Sequence, residues 1–316
     1  MVVKLKSRIS ELLKIEYPII QGGMAWVANA QLAANVSKAG GIGFIGAANA
    51  PAEWVREQIH IARQITDKPV GVNIMLLSDY ADDVAEVVTE EKVEAVTTGA
   101  GNPAKYMSKW KEAGIKVMPV VASVALARMM ERAGADAVIA EGMESGGHIG
   151  ELTTMTLVPQ VVGAVNIPVV AAGGIADGRG MAAAFMLGAE AVQLGTRFIV
   201  AKESTVSDEY KKRVLKAKDI DSTITGSSVG HPIRSLRNSM TREYQRLEKE
   251  GVEFEKLERM TLGSLRRAVI DGDVMNGTVM AGQIAGMVNK EQTCREIITE
   301  MTTEAEAVIR QVYGRI

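Results

Sequence analysis

From Tyr17 to Phe198, short apolar runs rich in Val and Ile alternate with stretches of helical periodicity. Eight such runs follow one another: Pro18 to Gly23, Gly41 to Ala47, Val70 to Met75, Ala95 to Gly99, Val117 to Ala122, Ala137 to Glu141, Val169 to Gly173 and Ala191 to Gly195. This alternation predicts a parallel sheet with helical crossovers, and eight strands are the number that closes a TIM (β/α)8 barrel. Ala39-Gly40, Ala113-Gly114, Ala133-Gly134 and Leu187-Gly188 each precede a strand. Glycine accepts the left-handed conformation that ends a helix, so these pairs read as αβ turns. Asn49-Ala50-Pro51 and Asn102-Pro103 read as helix starts, with Asn as cap and Pro in the first turn.

After Phe198 the pattern changes. Residues from about Ser204 to Asp273 are charged and irregular, and Thr241 to Arg259 carries dense mixed charge. This predicts a largely helical appendage. Gly277 to Gly286 is rich in glycine, and a final amphipathic helix is expected from about Gln292 to Val312. The expected organisation is a barrel over 1–200, the appendage over 201–275, and over 276–316 a return segment whose C-terminal helix packs on the barrel.

Length agrees with this division, since a barrel needs about 250 residues and accepts insertions, and the chain has 316. With 47% apolar but only 4% aromatic residues, the core must be built from aliphatic side chains. A formal net charge of −2 argues against a surface given over to nucleic acid or anionic lipid. Cys294 is the single cysteine and lies in a charged stretch without metal or redox spacing, which suits a reducing compartment. Lys4, Lys6 and Arg8 are not followed by an apolar core of signal-peptide length, and no run approaches about 18 apolar residues. The expected location is the cytoplasm.

The chemistry of such a barrel belongs at the C-terminal ends of its strands, with a phosphate site after strands seven and eight. Gly173 and Gly174 end the seventh run before a helix opening near Asp177, while Gln193, Gly195 and Thr196 end the eighth. Glycine lets a phosphate approach the backbone, and helix N-termini offer free N–H groups. Gly41-Ile42-Gly43-Phe44-Ile45-Gly46 has the G-x-G-x-x-G form, but its glycines lie inside a strand and open no helix, so it does not signal a dinucleotide fold.

After the sixth run, Glu141-Gly142-Met143-Glu144-Ser145-Gly146-Gly147-His148 sets one imidazole and two carboxylates among small residues, leaving backbone open to a flat ligand. His148 at this strand end is the catalytic candidate, whereas His60 and His231 read as surface or packing residues. Gln21, Gly22, Gly23 and Met24 after the first run and Asn73 in the third complete the rim, with amides placed to meet the edge of a flat ring.

These segments resemble those of the nitronate monooxygenase and enoyl-acyl-carrier-protein reductase II family of FMN barrels. The resemblance rests on Pro18 to Met24, Gly71 to Asn73, Glu144 to His148, Ala172 to Ile175, Gln193 to Phe198 and Ala281 to Gln283. Glu141 to Gly150 followed by Thr153-Thr154-Met155 is more similar to the reductase branch. The resemblance implies FMN held by Gly22, Gly23, Met24, Asn73, Glu141, Gly146, Gly147, Gly173, Gly174, Gln193, Gly195 and Thr196, with Met280 and Gln283 at the substrate. It implies a two-step cycle in which NADH or NADPH reduces the flavin, and flavin N5 then gives hydride to the β-carbon of a trans-2-enoyl thioester. His148 would either stabilise the thioester oxygen or protonate the α-carbon, and both roles stay open. The resemblance also leaves room for a monovalent cation and a homodimer, although no residues identify a metal cage. Expected partners are an enoyl-acyl carrier protein or enoyl-CoA, with Lys211, Lys212, Arg213, Lys216, Lys218, Arg234 and Arg237 as a basic surface for an acidic carrier. The alternatives are nitronate oxidation with His148 as base, and a non-redox phosphate-binding lyase or isomerase.

Overall fold

The computed structural model describes residues 6–315; Lys4 lies outside the described residues. Eight parallel strands close the barrel: β1 (Ile19–Gln21), β2 (Ile42–Gly46), β3 (Val70–Met75), β4 (Ala95–Gly99), β5 (Lys116–Val121), β6 (Val138–Glu141), β8 (Val169–Ala172) and β9 (Ala191–Leu194). They hydrogen-bond in chain order, and the ring closes between β1 and β9 through Ile19↔Val192, Ile20↔Gln193 and Gln21↔Leu194. Each strand coincides with an expected run, because strands buried on both faces are written as continuous apolar segments.

Alternate residues face the lumen, as the two-residue strand period requires. Ile20, Ile42, Phe44, Ala95, Met118, Ile139, Val170 and Ala191 form this inner core together with Ile9 and Leu13. The last two belong to the N-terminal helix Arg8–Leu13. Arg8 ties that helix to Glu190 (Nε to Oε1, 2.8 Å) and the Asn166 carbonyl (2.9 Å), both just before strands, so it plugs the N-terminal end. The opposite end stays available for chemistry. The G-x-G-x-x-G segment is indeed in β2, where a side chain on Gly43 would collide with the Ala33 backbone of the preceding helix.

Gly40, Gly114, Gly134 and Gly188 all adopt left-handed φ values between 82° and 102°, as the αβ turns demand. Asn102 Oδ1 accepts the Ala104 N–H at 3.0 Å, yet the N-cap of that helix is Pro103, not Asn102, and Asn49 does not cap its helix either. Its carboxamide oxygen instead accepts the Ser78 hydroxyl at 2.7 Å, and Ala52–Ile65 starts after Pro51 with no side-chain cap.

The chain leaves the barrel after the short helix Thr196–Ile199 and returns as the C-terminal helix Cys294–Tyr313. Thr293 and Glu296 form a capping box at its start. This helix packs against Gly178–Met186 and Ala30–Lys38, the helices flanking the β1–β9 seam. The intervening segment contains helices Asp208–Leu215, Ser239–Lys249, Phe254–Thr261 and Ser264–Val269. It also carries two short strands that the charge pattern concealed, β10 (Ser222–Thr225) and β11 (Ile233–Leu236). They pair antiparallel, and β11 pairs in turn with β7 (Gly147–His148), which leaves the barrel after β6. No helix among the described residues is long and apolar enough to cross a membrane.

Candidate active site

On one side of the C-terminal face, the ends of β1, β3 and β9 meet. A methyl group on Gly22 would stand 2.8 Å from Gln193 Cδ, and one on Gly23 would collide with Asn73, so each glycine makes room for an amide. Asn73 Nδ2 donates to Thr97 Oγ1 at 3.0 Å, which fixes the orientation of its carboxamide. Gly195 is covered only by Met24 Sδ, 3.5 Å from where a Cβ would be. Gln21 departs from the expected rim: it is fully buried, its Nε2 donating to the carbonyls of Gly22 and Phe44.

The other side is built from the ends of β6 and β8. Gly173 and Gly174 take left-handed φ values of +87° and +73°, and a methyl on Gly173 would approach Gly142 O to 2.7 Å. Glu144 accepts the Thr154 N–H (3.0 and 2.9 Å) at the start of helix Thr154–Val162, and its Oε1 lies 3.5 Å from a Cβ placed on Gly174. The Thr154 hydroxyl lies 3.0 Å from both Glu144 Oε2 and Gly173 O. Glu144 and Thr154 are therefore structural partners of the glycine pair. The sequence shows Glu144 among the carboxylates after the sixth run and Thr154 in the Thr153-Thr154 dipeptide, but not that the two hold one another.

The helix N-terminus expected to greet a phosphate is already satisfied. Asp177 Oδ1 accepts the N–H groups of Arg179 (3.0 Å) and Gly180 (3.1 Å), while Glu304 accepts that of Gly178 (2.7 Å). A short acidic residue before a helix caps that helix itself, so the backbone of Gly174, Gly195 and Thr196 remains as the candidate for anion binding. Next to them Arg197 is 6% exposed, donates one guanidinium nitrogen to Gln292 and leaves Nη1 unpartnered. Burial lowers its pKa, with Glu300 and Asp177 opposing. The open backbone at Gly195, the amides of Asn73 and Gln193 and this orphaned donor fit FMN.

Glu141 ends β6 opposite Ala172, half-buried and with one hydrogen bond, from Ser145 Oγ at 3.1 Å. Desolvation pushes its pKa up to about 7, the serine opposing. His148 is exposed at the mouth. Partial desolvation, and secondly the charge of His231, hold its pKa below the ordinary histidine value. Gly147 precedes it with φ +82°, and Met280 Sδ lies 3.6 Å from the place of a Gly147 Cβ.

Appendage and return segment hold this loop in place. The Ile149 N–H donates to Pro232 O (3.1 Å), and Arg234, 3% exposed, donates from Nε to Met143 O (3.1 Å) and from Nη1 to Ser222 Oγ (3.1 Å). The Gln283 N–H donates to Glu144 O (2.9 Å), and the Gly282 N–H donates to Thr196 Oγ1 (2.9 Å). Met280 thus borders His148, whereas the Gln283 side chain is exposed. Arg234 is the residue that sequence reasoning misplaced, whereas His231 is exposed and packs on Phe254 with ring centroids 5.7 Å apart, as expected. The pairing of β11 with β7 brings His231 near His148, a tertiary contact with no local signal. Arg234 cannot serve a docking surface because it is buried. Neither can Lys211, whose Nζ bonds Ala201 O (2.8 Å) and Glu291 (3.0 Å).

A closed barrel with glycine loops at strands seven and eight, amides at the floor and an imidazole at the mouth defines the class of flavin-dependent barrel oxidoreductases. The comparisons place the chain within it: residues 6–304 match the nitronate monooxygenase family model, and the protein belongs to that family. A solved structure of FabK from Thermotoga maritima superposes with a TM-score of 0.96 at 54% identity, covering 98% of this chain and 99% of the other. A nitroalkane oxidase from Streptomyces ansochromogenes gives 0.86 at 28% identity, covering 96% and 99%. A Mycobacterium tuberculosis protein named (3aS,4S,5R,7aS)-5-hydroxy-7a-methyl-1-oxo-octahydro-1H-indene-4-carboxyl-CoA dehydrogenase is 33% identical over 96% of this chain and 97% of its own.

Proposed function

We propose that the protein is an FMN-dependent enoyl-thioester reductase that takes electrons from NADH or NADPH, with an enoyl-acyl carrier protein as its physiological substrate. The observation that carries this reading is the neutral-leaning imidazole of His148 beside Met280, across the mouth from an open glycine cradle. Support comes from the likeness to FabK, an enoyl-acyl-carrier-protein reductase II, and from a relative whose name specifies a CoA thioester. Bound flavin would supply two-electron chemistry, taken from the nicotinamide and returned to the conjugated double bond.

The chain's own groups then have distinct tasks. Gly174, Gly195 and Thr196 hold the phosphate through backbone N–H groups, with Gly173 shaping the turn and Arg197 adding positive charge behind. Gly22, Gly23, Met24, Asn73 and Gln193 seat the ring. Glu141, Gly146 and Gly147 line the face below the mouth, and Met280 and Gln283 border the acyl group. His148, mostly neutral at pH 7, donates a hydrogen bond to the thioester oxygen as negative charge builds there. A neutral imidazole keeps its N–H for this purpose without needing to give up a proton.

The test is anaerobic. NADH or NADPH should bleach the flavin, and crotonyl thioester should restore the colour. A protein that is colourless, or is bleached but not restored, would exclude the reading. The nitroalkane oxidase and the family model favour one rival, nitronate oxidation; turnover of a nitronate in air with no restoration by crotonyl thioester would establish it.

A further inference from the structure

Among residues 277–282 only Met280 is not buried, and its sulfur stands against Gly147, the residue before His148. A methionine side chain is unbranched and flexible, so it keeps a fixed place only as well as its backbone does. That backbone is held on both sides. The Leu236 N–H donates to Val279 O at 2.8 Å, beside the isolated bridge between Ser235 and Met280. Beyond Met280, the amides of Gly282 and Gln283 are tied to Thr196 and Glu144. In an antiparallel pair of this kind the hydrogen bonds flank the two facing residues, whose own polar groups point away from the ladder. The Met280 carbonyl therefore needs a donor from outside the sheet.

Tyr210 supplies it: its hydroxyl donates to Met280 O at 2.8 Å. The helix that carries it, Asp208–Leu215, is dense in charge, yet Tyr210 is 0% exposed. Ser207 caps this helix by accepting the Tyr210 N–H at 3.3 Å. The helix in turn packs against the turn Gln283–Met287, which follows Met280. Burial raises the pKa of the phenol, with the Met280 carbonyl opposing, so the hydroxyl keeps its proton and stays a donor. A buried tyrosine usually finds a partner for its hydroxyl; this one holds the carbonyl of the residue that borders His148.

We propose that Tyr210 is a positioning residue of the active site, whose hydroxyl fixes the backbone of Met280 and through it the thioether that confines the enoyl group beside His148. The inference deepens the reading above and rests on it for the substrate, a trans-2-enoyl thioester. Without the hydroxyl, the ring still fills its place in the core, but the Met280 carbonyl loses its partner and the segment between the two clamps is free to shift. A displacement of about 1 Å can cost about 10²-fold in rate. The step that depends on Tyr210 is the one in which the enoyl group meets the reduced flavin, because Met280 borders the acyl group.

The test compares the two half-reactions of the flavin-loaded protein in the absence of air. Tyr210→Phe should stay yellow and be bleached by NADH or NADPH at the parental rate, while crotonyl thioester should restore its colour at least about tenfold more slowly. Met280→Ala should slow restoration as well. Adding Tyr210→Phe to it should slow restoration no further, because the hydroxyl then has no thioether left to place. Restoration in Tyr210→Phe within about threefold of the parent would overturn the proposal, and so would equal slowing of both half-reactions, the mark of a loosened fold. Effects of the two substitutions that multiply would overturn it too. Met280→Ala keeps the Tyr210 bond, so a parental rate of restoration in that variant alone would decide against the proposal even if Tyr210→Phe failed to fold. If crotonyl thioester does not restore the colour of the parent, it is the proposed reaction that falls. The same variants are then compared in turnover of a nitronate in air, where the tenfold loss and its absence from the double variant decide on Tyr210 in the same way.

Discussion

Glu141 and His148 titrate in opposite directions for the same reason, burial opposing the charged form. For Glu141 the folded state binds its proton more tightly, with a pKa of about 7 against 4.5 for an ordinary glutamate. Stability from this group is therefore full below about pH 4.5 and is lost as pH rises through 7, by at most about 3–4 kcal/mol. Glu141→Gln should melt with the parent near pH 4.5 and several degrees above it at pH 8, in flavin-free protein. A difference that does not grow with pH would show that the carboxyl is not held protonated. His148→Ala should stay yellow and lose about 10²- to 10⁴-fold in enoyl reduction; a loss within about threefold would remove the residue from the chemistry. Because its pKa is lowered, the imidazole should be mostly neutral from pH 8 down to pH 7. A neutral donor predicts a rate that is flat across that range and changes only as pH falls through the depressed value.

At the scale of elements, the barrel strands could be read from the sequence because each is buried on both faces and ends in small residues. The helix start at Gly178 could not be read as it stands: Asp177 looked like a neighbour of a phosphate and is the helix's own cap. β10 and β11 are four residues each, and the buried Arg234 owes its place to Met143 O and Ser222, partners distant in sequence. No periodicity announces such a strand. These elements also decide which phosphate variant is informative. Gly174→Val would force a β-branched residue to φ +73°, confounding strain with ligand loss. Gly195→Ala faces only Met24 Sδ at 3.5 Å with an ordinary φ, so it should melt like the parent while binding FMN at least about tenfold more weakly. Unchanged flavin affinity would move the phosphate elsewhere. For the acyl carrier, burial of Lys211 and Arg234 leaves Lys212 and Lys216, one turn apart and exposed on Asp208–Leu215 and its C-cap. Reversing both to Glu should weaken turnover of carrier-bound substrate more than of a short thioester; equal effects would dismiss this helix as a dock.

At the scale of the whole molecule, the chain returns to the seam at which its barrel closes. Gly178 meets the C-terminal helix so closely that a side chain there would collide with Ala305 N. Gly178→Val should therefore cost about 1–3 kcal/mol, read as a lower melting temperature. The same helix begins at Cys294, the single thiol of the chain, fully buried, with its N–H bonded to Glu203 at 3.0 Å. Burial, and secondly Glu203, raise its pKa, so the folded protein offers a labelling reagent neither access nor thiolate. Any modification must wait for the helix to lift, which makes Cys294 a built-in stopwatch for opening of the seam. Its labelling rate in native buffer, divided by that of the unfolded chain, would give the fraction of time the barrel stands unlatched.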